Sequence, residues 1–217
     1  MDVTFFNPFA DVVRHKNHLP HWQQPGATYF LTYRLADSIP QPVLDRWLLA
    51  RDIFLNANPQ PWTAEQAAEF EQRFQAVLDE HLDELHGACV LRQRELAETA
   101  AAVLRTFDGE RYHLHAWVIM PNHVHVLFTL RNDRMLEDEV KAWKGVAARR
   151  INAMLSRRGD FWQRDYFDRM IRDAAHFWRC ARYIQRNPDV CGLRAGEFLS
   201  GMSDTVRQVL SHPDGWR

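Results

Sequence analysis

Cysteine is scarce in this chain: three in 217 residues, at Cys89, Cys180 and Cys191, an odd number with no CxxC spacing. That argues against a disulfide framework or a cysteine zinc site, and for free thiols in a reducing compartment. No apolar run approaches the roughly 18 residues that a membrane span needs. The opening "MDVTFFNPFADVVRHKNHLPHW" has no basic region leading into an apolar one, so no secretory signal is expected and the chain reads as cytoplasmic. Neither G-x-x-x-x-G-K-[ST] nor a dinucleotide glycine motif occurs, which speaks against a nucleotide cofactor. Internal repeats and low-complexity stretches are lacking too. Net charge is almost nil, 27 Lys and Arg against 28 Asp and Glu.

That balance hides an asymmetry. From Pro61 to Glu110 there are eleven Asp/Glu and four Arg; from Lys141 to Asn187 there are twelve Lys/Arg and four Asp. A basic half in a neutral protein is the footprint of a polyanion site, with the acidic half facing elsewhere. At 46% apolar and 25% charged residues, the composition is that of one globular domain spanning residues 1–217.

Periodicity orders the elements. "ATYFLTYRL" (27–35) alternates as a strand, after a polar, proline-bearing lead-in. Ser38 and Pro42 mark the start of a helix over 43–56, and "TAEQ" at 63–66 resembles a capping box for a helix from Ala64 to about Leu85. A third helix is expected over 94–107. Two strands, "YHLHAWVIM" and "HVHVLFTL", meet at Pro121-Asn122. A long helix follows over 136–159, then a strand over 165–173, then a helix over 174–188 stopped by Pro188. Residues from about 189 to 217 read as an irregular tail. Strand, helices, strand, strand, helix, strand, helix is the order of an α+β fold, the ferredoxin-like split βαβ with an antiparallel sheet. The helices over about 43–95 enlarge its first crossover.

"HLHAWVIMPNHVHVLF", residues 113–128, holds four histidines in sixteen positions. On a strand, residues i and i+2 share a face. His123 and His125 therefore project side by side, while Val124, Val126 and Phe128 face the other way, into a core. Two adjacent imidazoles on a rigid sheet make a half-site for a divalent metal. His113 and His115 share the spacing but lack a turn to position them.

"VIMPNHVHVLF" resembles the histidine–hydrophobic–histidine (HUH) signature of single-tyrosine transposases and rolling-circle endonucleases. It is most similar to the REP-associated tyrosine transposases, relatives of small insertion-sequence transposases. Further stretches in the same order carry the likeness across roughly residues 18–193: "LPHWQQPGATYFLTYRLADSIP", "WKG" at 143–145, "FWQRDYFDRMIRD" and "YIQRNP" at 183–188. The resemblance implies cleavage of single-stranded DNA beside REP-type hairpins, through a covalent 5′-phosphotyrosine and a free 3′-OH. It places the nucleophile at Tyr183 and a metal-binding amide at Asn187, where some relatives carry glutamine.

The residues fit such chemistry. A histidine pair alone does not hold a hard cation such as Mg²⁺ or Mn²⁺, and an oxygen ligand is expected. Tyr183 and Asn187 lie one turn apart on one helix face, so Asn187 can offer its amide oxygen beside the tyrosine. Tyr166 is the rival nucleophile, since its strand register is open. Asp165 and Asp168 read as partners of Arg164 and Arg169. Single-stranded or hairpin DNA should lie on Lys141, Lys144, Arg149, Arg150 and Arg164, with Arg182 and Arg186 flanking Tyr183. Trp143 is a candidate for stacking on an unpaired base. The alternatives are a hairpin-binding protein without turnover, or a metal hydrolase that activates water. A monomer is expected because the tail reads as too short to exchange helices, with a dimer as the alternative.

Overall fold

The computed structural model describes the chain apart from residues 1, 2, 8, 11, 12, 17–19, 60, 61 and 212–217. Part of the polar lead-in, part of the loop before Thr63 and most of the terminal "SHPDGWR" thus lie outside the described residues. The elements are β1 (Val13–Lys16), β2 (Pro20–Gln23), β3 (Thr28–Arg34), α1 (Gln41–Ala57) and α2 (Ala64–Phe70). A π-helical turn over Glu71–Gln75 joins α2 to α3 (Ala76–Asp83), followed by α4 (Arg94–Arg105). The second half comprises β4 (Tyr112–Ile119), β5 (His123–Leu130), α5 (Leu136–Met154), β6 (Phe167–Met170), α6 (Ala174–Val190), β7 (Leu199–Met202) and α7 (Asp204–Ser211).

Five strands form one sheet in the order β6-β3-β5-β4-β7, with every neighbouring pair antiparallel. Strands β3, β4, β5 and β6 with their crossovers are the expected ferredoxin-like split βαβ. Helices cover both faces. Tyr29, Leu31, Val124, Val126 and Phe128 pack against α4 and α5, whereas Phe30, Ala116, Val118 and Leu127 pack against α6. Strands buried on both sides have no polar face to spare, which is why β3 and β5 are buried along their whole length.

The helical elaboration lies between β3 and β4, as its acidic pattern suggested. Its capping box is formed: Thr63 N–H donates to Gln66 Oε1 at 2.9 Å and Gln66 N–H to Thr63 Oγ1 at 3.2 Å. Ser38 is not the cap of α1; Pro40 takes that position and the Ser38 hydroxyl bonds Leu35 O at 2.8 Å.

Three further expectations are corrected. Pro188 does not stop α6, which runs to Val190; a proline this near the end removes a single helical bond, and Cys191 N–H still reaches Asn187 O at 3.1 Å. The tail is not irregular. Leu199–Met202 pairs with β4, and α7 sends Val206 into the α6 core. Gly201 makes this edge possible: a Cβ there would stand 2.5 Å from the Trp117 ring. Finally, β1 and β2 form a two-stranded ribbon where only a polar lead-in was read.

Candidate active site

His123 and His125 point from β5 toward α6 and are both fully buried. The register sets them against Arg34 and Thr32 of β3. Their rings meet edge to face, with centroids 4.6 Å apart. The other H-x-H pair is broken by a β-bulge between Leu114 and Ala116. That bulge turns His115 toward Thr129 Oγ1, 2.7 Å from Nε2, with Phe177 against the ring. It is a satisfied core histidine.

The hydrogen bonds around His123 fix its proton. Asn122 Nδ2 donates to the carbonyls of Leu82 and His86, at 3.3 Å each, so Asn122 Oδ1 accepts from His123 Nδ1 at 2.7 Å. Burial drives the imidazole pKa down from 6.5 to about 3, so the ring is neutral and Nε2 carries only a lone pair. Opposite it, 3.3 Å away, stands Asn187 Oδ1, because Asn187 Nδ2 is engaged by Asp83 Oδ1 at 3.1 Å. Two acceptors face one another with no proton between them.

His125 completes the pattern. Its Nδ1 meets Thr32 Oγ1 at 2.7 Å and its Nε2 is buried without a hydrogen-bond partner. The tautomer that leaves no buried N–H unpaired puts the proton on Nδ1. Burial, with His123 and Arg169 adding to it, holds this ring neutral as well. Two bare imidazole nitrogens and one amide oxygen make a donor set suited to a divalent cation. The 3.3 Å separation of His123 Nε2 and Asn187 Oδ1 is near the roughly 3 Å between adjacent ligands of an octahedral ion. Among the described residues no group of three His, Cys, Asp or Glu is arranged to hold a metal ion; the oxygen beside this histidine pair is that of an asparagine.

Tyr183, one turn before Asn187, sets its ring 5.1 Å from that of His125 and 5.8 Å from Phe30. Its hydroxyl is buried without a hydrogen-bond partner. Burial, reinforced by Asp79 and Asp83 and opposed by Arg169, raises its pKa above the ordinary phenol value, so it rests protonated. Tyr166 is on the other side of the sheet. Pairing of Thr32 with Phe167 puts Phe167 and Arg169 on the histidine face, while Tyr166 packs in the α5 core with Phe161 and Trp162.

The basic residues divide between the two faces. Lys141, Lys144 and Arg164 line a groove of about 800 Å³ between α5 and residues 159–166, with Arg149 and Arg150 exposed farther along α5. Arg182 and Arg186 are exposed on α6, across the sheet. Trp143 does not fit the expected stacking role. It is 2% exposed and donates from Nε1 to Tyr112 Oη at 2.9 Å, as a core residue does. Lys144 is partly occupied in holding the chain: its ammonium donates to the carbonyls of Gln163 and Arg164, at 2.7 Å each.

Sequence reasoning missed Asn122, Thr32, Asp79 and Asp83. Asn122 sat inside the quoted motif, but the other three carried no local signal. Arg169 approaches Asp79 of α3 at 3.7 Å, a pairing with the elaboration that the sequence did not suggest.

The family model "Transposase IS200 like" matches residues 89–187. No curated protein matches the chain. Among solved structures, the chain is similar to a REP-associated tyrosine transposase bound to a REP hairpin. That similarity has 15% identity and a TM-score of 0.47, and covers 82% of this chain and 76% of the other. A candidate transposase from Deinococcus radiodurans R1 matches at 16% identity and a TM-score of 0.30, over 85% of this chain and 98% of the other. The stretch that matches the IS200-like transposase model, Cys89 to Asn187, contains the histidine strand and the tyrosine helix.

Proposed function

We propose that the protein is a divalent-metal-dependent single-strand DNA endonuclease and strand transferase that cleaves beside REP-type hairpins through Tyr183. One observation carries this reading: His123 Nε2 faces Asn187 Oδ1 at 3.3 Å, and the His125 ring, its Nε2 buried without a partner, lies between the His123 ring and that of Tyr183, one helical turn from Asn187. Mg²⁺ or Mn²⁺ bound there polarises the scissile phosphate and offsets the charge that develops as the bond breaks. Tyr183 gives up its proton, its oxygen bonds to phosphorus, and the bond from phosphorus to the 3′-oxygen breaks. That oxygen leaves and takes up a proton as a 3′-OH. The 5′-phosphotyrosine keeps the phosphodiester energy, so a second 3′-OH rejoins the strand without ATP.

The space between the sheet and α3, lined by Phe30, Thr32, Leu78, Asp79, Phe167 and Arg169, is only about 10 Å³. Arg169, on the histidine face of β6 and paired with Asp79 at 3.7 Å, is a cation that a phosphate could share. Arg182 and Arg186 hold the strand outside the site.

The test is a denaturing gel of labelled REP-type hairpin DNA incubated with the protein and Mn²⁺. Wild type and Tyr166→Phe should give a slow covalent band, and Tyr183→Phe, which loses one oxygen and almost no volume, should give none. Cleavage without an adduct in Tyr183→Phe would assign attack to water. Hairpin binding by the wild type with neither adduct nor cleavage would make it a binding protein without turnover.

A further inference from the structure

Resting on that metal reading, we infer that Asp83 is a positioning residue: its carboxylate orients the Asn187 amide so that oxygen, not nitrogen, faces the metal. An asparagine side chain has two ends of nearly equal shape and opposite chemistry. Oδ1 can ligate a cation, whereas Nδ2 bears two protons and cannot. Asn187 is 1% exposed, so no water decides which end points where. Its two neighbours are both acceptors, His123 Nε2 at 3.3 Å and Asp83 Oδ1 at 3.1 Å. They compete for one amide N–H end. Asn122 has already placed the His123 proton on Nδ1, so Nε2 would accept from a flipped Asn187, and that hydrogen bond would block the site. The acceptor-only carboxylate wins the amide and leaves both lone pairs free.

Asp83 ends α3 in the helical elaboration, outside residues 89–187 of the family match. The insertion is therefore part of the site. It holds Asn122 through the Leu82 and His86 carbonyls and Asn187 through Asp83. Asp83 also accepts from Cys191 Sγ at 3.4 Å, a contact that leads away from the metal ligands.

Mn²⁺ binding to the purified full chain, by titration calorimetry and by electron paramagnetic resonance, tests this. Asp83→Ala should weaken Mn²⁺ by about 10–100-fold, the usual cost of losing such a supporting contact. Asp83→Asn should recover most of that, because its Oδ1 still accepts from Asn187 Nδ2. Asp83→Ala with Asn187→Asp should bind at least as tightly as wild type, since a carboxylate presents oxygen at either end. Cys191→Ala should leave affinity unchanged. Melting in EDTA checks that each variant is folded, and the Asp83→Asn comparison stands even if Asp83→Ala unfolds. If the wild type binds no Mn²⁺, the metal reading falls and this inference with it. If wild type and Asp83→Ala bind equally, only the role of Asp83 is overturned. An equal loss in Asp83→Asn and Asp83→Ala would make Asp83 a charge or a ligand and would overturn orientation.

Discussion

Acid should destabilise the metal-free protein through its histidine pair. His123 and His125 are fully buried, and burial lowers both pKa values below 6.5, that of His123 to about 3. In the unfolded chain both titrate near 6.5. Between that pH and the native values the unfolded state binds more protons, so stability is complete above about 6.5 and is lost as pH falls toward 3. Each histidine contributes a slope of up to about 1.4 kcal/mol per pH unit. Integrated from pH 7.5 to 5.5, that is about 1.4 kcal/mol each and about 2.7 kcal/mol for the pair. Asp83 and Glu139, raised by burial, work in the opposite direction. A difference experiment removes them. Urea unfolding in EDTA at the two pH values should show the acid-induced loss shrinking by about 1.4 kcal/mol in His125→Gln relative to wild type. Equal losses in the two proteins would mean that His125 titrates normally in the folded state, and the argument that burial keeps this ring ready to bind metal would fail.

Trp143→Ala should cost about 3–5 kcal/mol in urea melts, while Trp143→Phe, which keeps most of the ring, should leave hairpin affinity unchanged; a selective loss of DNA binding in the phenylalanine variant would restore the stacking role. Gly201→Ala should destabilise by about 1–3 kcal/mol by driving a methyl group into Trp117, read as a lower Tm and faster hydrogen exchange in β7. Arg182→Ala with Arg186→Ala should reduce the salt dependence of single-strand binding by about 1.4 in log–log slope, two contacts at about 0.7 each. Lys144→Ala should expose residues 159–166 to protease, because two backbone carbonyls lose their ammonium donor.

Much of the fold was legible because its signals are local. Alternation over 27–35 and 123–130 marked the central strands, and their order with the helices specified the split βαβ. The i, i+2 rule put His123 and His125 on one face, and the i, i+4 rule put Tyr183 beside Asn187, before any long-range contact was known. Pairing across elements was not legible. Tyr166 was put on the face away from the histidines by the register of Thr32 with Phe167, a relation between segments over a hundred residues apart that no local pattern encodes. Trp143 looked the same in sequence whether it met a base or Tyr112. The last strand was hidden because "LSGM" is short and polar for a strand; it forms because β4 offers an open edge and Gly201 lets it pass Trp117. The amino-acid sequence by itself determined which donors this protein owns and which of them share a face. Tertiary structure alone decided which lone pairs stay bare, since that depends on Thr32 meeting His125 across the sheet and on the inserted helix orienting Asn122 through Leu82 and Asn187 through Asp83.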